Sequence, residues 1–353
     1  MDKQTIKGIL SQNTARKDST NDAYAQRLST LTKRYSQHKE EEYTDWEFLK
    51  NMNDVIHFLT KVPGQRKNKN GEYPLPSLTT QIGNLNPIIE FLKQKQEYIL
   101  AEEYNKVKKV IDDKIDNKYV KSNGITDTQK ENIISYQDLL NYCDKVDEEI
   151  NILKNKPLQS HIDLWTLEDL SSLKILLRLY LLHPSRNEYA DLKFIKLQEY
   201  KKLKQPELNY VVIGTKKSYL SITDYKTGEK YGCKFIELQD KKLIKMLKEL
   251  KKKRDAEERE HLFYLQKTGT PWTNHNLCAV MTKYSRKLLD GKSICSTLLY
   301  KIVIKEVGQE YYEAIKNDDM EVAVKCNDIL EKFAKTRGHS QTIQKKAYII
   351  KED

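Results

Sequence analysis

Along most of the chain apolar residues recur every three or four positions, the period of an amphipathic helix. Tyr24, Leu28, Leu31 and Tyr35 mark one such face behind the cap candidates Ser19-Thr20-Asn21-Asp22. Thr44-Asp45 precedes a second helical stretch carrying Trp46, Leu49, Met52, Ile56 and Leu59. A helix is predicted over 77–95, broken or kinked at Pro87 because proline lacks an N–H, and a long Lys/Glu-rich one over 96–118. Others are expected at 127–153, at 167–182 and from 240 to the end. In 241–254, Leu243, Met246, Leu247 and Leu250 fall at i, i+3, i+4 and i+7 beneath a Lys-covered face. Between 192 and 238 the pattern changes. Segments 192–197, 209–214, 218–223 and 230–238 are rich in Val, Ile, Tyr and Phe and read as strands, with Thr227-Gly228 the best hairpin tip.

This order predicts a mainly α protein with a small antiparallel β-sheet (α+β). Residues 1–17 read as a polar tail and 18–120 as a helical domain. Residues 121–126, with Lys121-Ser122-Asn123-Gly124, read as a linker, and 127–353 as a second, mixed domain.

At 353 residues the chain is long enough for two cores. Charged residues make up 32% and hydrophobic ones 38%, which suits a helix-rich soluble protein better than a disordered one. No apolar run reaches membrane-spanning length and the first residues lack a signal-peptide core, so no membrane partner is expected. Cys143, Cys233, Cys278, Cys295 and Cys326 are scattered and form no CxxC pair, which points to a reducing compartment. Histidines and acids never assemble metal-ligand spacing, and no G-x-x-x-x-G-K-[ST] run is present. The net charge of +11 favours a polyanionic partner. The loop Pro63 to Gly71 concentrates Arg66, Lys67 and Lys69, which with Lys230 and Lys283 are the candidate contacts to such a partner.

Four chemical signals follow one another along the second domain. Arg186 sits in Leu182-His183-Pro184-Ser185-Arg186-Asn187-Glu188-Tyr189, a helix end turning into a buried segment, where a planar guanidinium can hold a phosphate bidentately. Lys226 lies on the hairpin tip Asp224-Tyr225-Lys226-Thr227-Gly228 and is placed to donate a proton. The box Arg337-Gly338-His339-Ser340 is third, and Tyr348, at the ninth position after His339, is fourth. Taken singly, Arg186 also fits an ordinary cap or ion pair, and Lys226 a solvated turn. Tyr348 alone also fits packing on a terminal helix.

In this order the four signals resemble the tyrosine recombinase (phage integrase) family over essentially the whole chain, in the style of members from large DNA viruses and their satellite elements. The resemblance implies a helical core-binding domain and a catalytic domain that clamp duplex DNA. Tyr348 would attack the scissile phosphate, giving a 3′-phosphotyrosyl bond and a free 5′-hydroxyl, with no ATP, metal or other cofactor. Arg186 would hold the non-bridging oxygens, Lys226 would act as general acid, and His339 would bond the phosphate or take the phenol proton. The implied assembly is a dimer on a site and a tetramer in the synapse. The implied setting is intracellular, in the nucleus or a viral factory in the cytoplasm.

The chain departs from the family in its second Arg box. The stretch Ser293 to Ile302 places Thr297 at the His position and Tyr300 at the Arg position, with Lys301 the nearest cation, one residue off register. Lys292 and Lys283 are more distant substitutes. Tyr189 stands where an acid is common, leaving Glu188 or Asp191 to orient Arg186. The expected function is therefore a site-specific DNA recombinase with Tyr348, Arg186, Lys226, His339, Lys301 and Tyr300 at its site. The alternatives are a catalytically impaired DNA-binding protein of the same fold and, third, a type IB topoisomerase.

Overall fold

The computed structural model describes every residue except 69, 122–124, 158–159, 226–227, 229–231, 339, 341–343 and 345–353; side-chain surroundings are also undescribed for 118–121. Lys69, Lys226, Lys230, His339 and Tyr348, named above, thus lie outside the described residues. About 63% of the chain is helix and 7% strand, so the protein is mainly α with a small β component. It divides into two compact units, Met1–Lys121 and Ser122–Asp353, each with its own hydrophobic core.

The first unit contains α1 (Lys3–Leu10), α2 (Asp18–Lys39), a 3₁₀ turn (Glu47–Lys50), α3 (Met52–Lys61), α4 (Leu78–Gln94) and α5 (Tyr98–Lys121). α4 is central and packs on all the others of the α set. Leu28, Leu31 and Tyr35 of α2 are buried, as their spacing requires. The expected polar tail is instead partly core. Asp2 caps α1 by accepting from the amides of Gln4 and Thr5, and Ile6 and Leu10 are fully buried against α2 and α4. The helix expected after Thr44-Asp45 is interrupted at Asn51, between the 3₁₀ turn and α3. Pro87 lies inside α4, which continues through it.

The second unit contains α6 (Asp127–Asn132), α7 (Tyr136–Asn155), α8 (His161–Leu182), β1 (Lys193–Lys196), α9 (Leu197–Tyr200), β2 (Tyr210–Ile213), β3 (Ser218–Ile222) and β4 (Lys234–Leu238). It continues with α10 (Lys241–Ala256), β5 (Tyr264–Leu265), β6 (Thr270–Pro271), α11 (Asn274–Leu288), α12 (Ser296–Lys316) and α13 (Met320–Arg337). α8 runs through the core, burying Leu170, Leu173, Leu176, Leu177 and Tyr180. The main sheet has the order β1-β2-β3-β4. It is mixed rather than wholly antiparallel: β1 pairs parallel with β2, because the chain crosses over through α9, while β2–β3 and β3–β4 are antiparallel. Asp240 begins α10 by accepting from the Leu243 amide and is clamped by both arms of Arg178, at 2.8 and 2.6 Å. That bond fixes the α10 start to α8, just after β4.

Candidate functional site

α8 ends at His183, and the chain then folds into a tight turn. Ser185 Oγ donates to Glu188 Oε2 at 2.7 Å, the Tyr180 hydroxyl donates to the Arg186 carbonyl, and that of Tyr189 to the His183 carbonyl. Ser185, Glu188 and Tyr189 are buried, and Arg186 is half-buried. Burial pushes the His183 imidazole down to about 4, so it is neutral near pH 7 and adds no charge to the turn. Asn187, next to Arg186, accepts from Ser296 Oγ at 2.6 Å, tying the turn to the start of α12.

Arg337, the last residue of α13, reaches this turn from 152 residues away along the chain. One Nη donates to the Ser185 carbonyl at 2.6 Å and the other to Thr297 Oγ1 of α12 at 3.3 Å. Its guanidinium lies 4.1 Å from the centre of the Tyr300 ring, a cation–π distance, and the residue is 3% exposed. Gly338 then ends the helix at φ 74°, the left-handed conformation that glycine adopts without steric penalty.

Lys234 reaches the end of α13. Its position opens β4, and its Nζ donates to the Thr336 carbonyl at 2.9 Å and sits 3.4 Å from the centre of the Tyr225 ring. Burial pushes the amine down to about 8; Glu188 opposes this, and the positive charges of Arg186 and Arg337 add to it. The Tyr225 hydroxyl donates to the Gly232 carbonyl at 2.7 Å. A cleft of about 590 Å³ between β4 and α13 is lined by Lys234, Thr336, Glu331, Lys332 and Lys335 and opens this side of the cluster.

Three cations, Arg186, Lys234 and Arg337, therefore converge from three distant stretches of chain, with Glu188 the carboxylate among them. Among the described residues Arg186 has no ion pair with Glu188 or Asp191, and its buried Nη1 has no hydrogen-bond partner. Asp191 instead accepts from Asn209 at 3.3 Å. A buried guanidinium N–H left unmatched is costly, and an oxygen-rich anion is the complementary partner.

Tyr300, expected from the sequence to stand at the pattern's Arg position, is fully buried beneath Arg337, and its hydroxyl accepts from Gln344 Nε2 at 3.1 Å. The amide of Gln344 donates to the Ser340 carbonyl at 3.0 Å, so Gln344 ties Ser340 to α12; Tyr348 follows four residues later in sequence. Lys301 does not join the Arg186 turn. It is 3% exposed and donates to Gln129 Oε1 of α6 at 2.9 Å, because one residue along a helix turns the side chain by about 100°. Burial, with Arg337 adding, lowers its amine to about 8.

Of the candidate DNA contacts, Lys283 lies on α11 and is held by Asp169 at 3.3 Å and Tyr284 at 3.1 Å. Arg66 and Lys67 are exposed on a first-unit loop pinned by Gly64 N–H to the Pro74 carbonyl, 2.9 Å, and Asn68 N–H to the Glu72 carbonyl, 2.7 Å. Among the described residues no group of three or more His, Cys, Asp or Glu is placed to hold a metal ion, and no helix is long and apolar enough to cross a membrane.

Sequence reasoning missed Lys234 and the role of Arg337, and both left a trace. Lys234 shares its strand face with Ile236 and Leu238, an inward position in a period of two. Arg337 follows Leu330, Phe333 and Ala334 at helical spacing, on the buried face of α13. Compared with protein-family models, curated proteins and solved structures, the chain matches none.

Proposed function

We propose that this protein is a site-specific DNA recombinase that cleaves and rejoins strands through Tyr348. The observation that carries the reading is the unmatched, buried Nη1 of Arg186, in a turn that Arg337 bonds at Ser185 and whose charge acts on Lys234. Such a charge cluster is unfavourable empty and favourable around a phosphate. The Tyr348 oxygen bonds to phosphorus, the bond from phosphorus to the 5′ oxygen breaks, and the departing oxygen takes a proton. Lys234 is the described amine placed to give that proton, alongside Lys226 of the sequence motif. The phenol proton passes to a base, for which His339 is the sequence candidate. Rejoining reverses each step, so the bond energy is kept and no nucleotide is consumed. The partner is duplex DNA, engaged by more than one copy of the chain.

The test is covalent trapping. A nicked duplex taken from DNA flanking the encoding gene, in which the cleaved fragment diffuses away, should give a protein–DNA adduct that Tyr348→Phe does not. Equal failure of both proteins on the same site, with binding intact, supports the second reading, a DNA-binding protein of the same fold without cleavage. That reading is favoured by the buried Tyr300 in place of the family's Arg.

A further inference from the structure

The stretch from Ser293 to Ile302 has no arginine, and Tyr300 occupies the position where the recombinase pattern has one. Arg337 is bonded to both ends of that gap: it stacks on the Tyr300 ring and donates to Thr297, at the pattern's His position. With its other Nη it holds the carbonyl of Ser185, the residue before Arg186. Resting on the DNA-cleavage reading, we propose that Arg337 supplies from the end of α13 the guanidinium that α12 lacks, as a positioning residue that fixes Arg186 and Lys234 around one phosphate.

Geometry favours this over a plain structural tie. A tie between a carbonyl and a hydroxyl does not require a cation, whereas here the cation is placed among two others. The fork is what the arrangement uses: two acceptors on different segments are met by one planar group that also lies over the Tyr300 ring, whereas an ammonium offers its donors from a single point. The same helix end also holds Lys234, whose amine bonds the carbonyl of Thr336, the residue before Arg337. One helix terminus thus sets the distance between the Arg186 turn, α12 and β4. Tyr300 is the platform, so an arginine placed at that position would meet Arg337 rather than replace it.

The charged groups that act on Lys234 are Glu188, which favours its ammonium, and Arg186 and Arg337, which oppose it; Glu331, Lys332 and Lys335 line the adjoining cleft from α13. This gives a readout independent of catalysis. Full-length protein, Arg337→Met and Arg337→Lys are labelled by reductive ¹³C-methylation, and the Lys234 resonance, identified by its loss in Lys234→Arg, is titrated by NMR. The same proteins, with Tyr348→Phe as control, are assayed for single-turnover adduct formation on the nicked duplex.

Arg337→Met should raise the Lys234 pKa, with burial still holding it below the ordinary lysine value, and slow adduct formation by about 10²–10³-fold. Arg337→Lys should titrate close to wild type yet recover only part of the rate. Methionine keeps bulk over Tyr300, so a Met variant with unchanged titration and unchanged rate overturns the proposal. Should that variant not fold, Arg337→Lys decides alone, and a wild-type rate overturns it. If wild type gives no adduct beyond Tyr348→Phe, the cleavage reading fails separately. The Lys234 titration in Arg337→Met then still decides whether Arg337 organises the cluster.

Discussion

Lys234 donates to the carbonyl of Thr336, joining the first residue of an edge strand to the last turn of a helix 102 residues later. The bond holds a half-buried amine on which the charges of the Arg186 and Arg337 guanidinium groups act. Its consequences are chemical as well as structural.

The first concerns pH. The Lys234 amine titrates at about 8 in the folded protein, below the ordinary 10.5, so the ammonium is present below pH 8 and lost above it. A step that needs the ammonium as proton donor should therefore slow above about pH 8. Lys234→Met should lower the cleavage rate by about 10²–10⁴-fold. A substrate with sulfur in place of the departing 5′ oxygen, whose thiolate leaves without a proton, should erase most of that loss. An oxygen substrate cleaved at equal rates by wild type and Lys234→Met removes Lys234 from the mechanism.

Lys301 gives a stability prediction with a definite sign. Its folded pKa of about 8 lies below 10.5, so between these values the unfolded chain holds more protons and stability rises with pH. Below pH 8 the fold carries the cost of a buried ammonium. Lys301→Met should therefore stabilise the protein at pH 7 by about 1–3 kcal/mol, and the gain should shrink toward pH 10. Denaturant unfolding of both proteins at the two pH values measures it, and a gain that is independent of pH contradicts the assignment.

Tyr300→Phe removes the acceptor for Gln344, a fully buried amide side chain. Leaving that donor unmatched should cost about 1–3 kcal/mol. The same change should speed proteolytic nicking of the terminal segment, which wild-type and mutant digests can compare directly.

DNA binding through the first-unit loop should be visible in salt dependence. Each cation that neutralises a phosphate steepens the fall of log K with log salt by about 0.9, so Arg66→Ala with Lys67→Ala should flatten it by about 1.8. An unchanged slope means that these two exposed cations touch no phosphate.

Much of the architecture was legible because it depends on periodicity. The α10 face of Leu243 and Leu247 follows from spacing, and the four main strands from runs rich in Val, Ile, Tyr and Phe between turn residues. The parallel pairing of β1 with β2 was not legible, since strand direction depends on the crossover rather than on composition. Residues 1–17 read as a tail because Ile6 and Leu10 form too short a pattern to stand out, although they fill the first unit's core. At the candidate site the Arg186 turn was readable as a motif. The convergence of Arg337 and Lys234 on it was not: spacing marks each as inward-facing, but nothing local pairs positions separated by 102 and 152 residues. Lys301 reads as the nearest cation, one residue off register from the pattern's Arg position, and in the fold it bonds Gln129.

The separate cores of the two units set an order of events during synthesis. Every buried side chain of the Met1–Lys121 core comes from residues made before the second unit begins. At ribosomal speeds the remaining residues take on the order of tens of seconds more. A growing chain therefore displays a finished first unit, with its exposed Arg66 and Lys67, well before α13 exists to bring Arg337 onto the Arg186 turn.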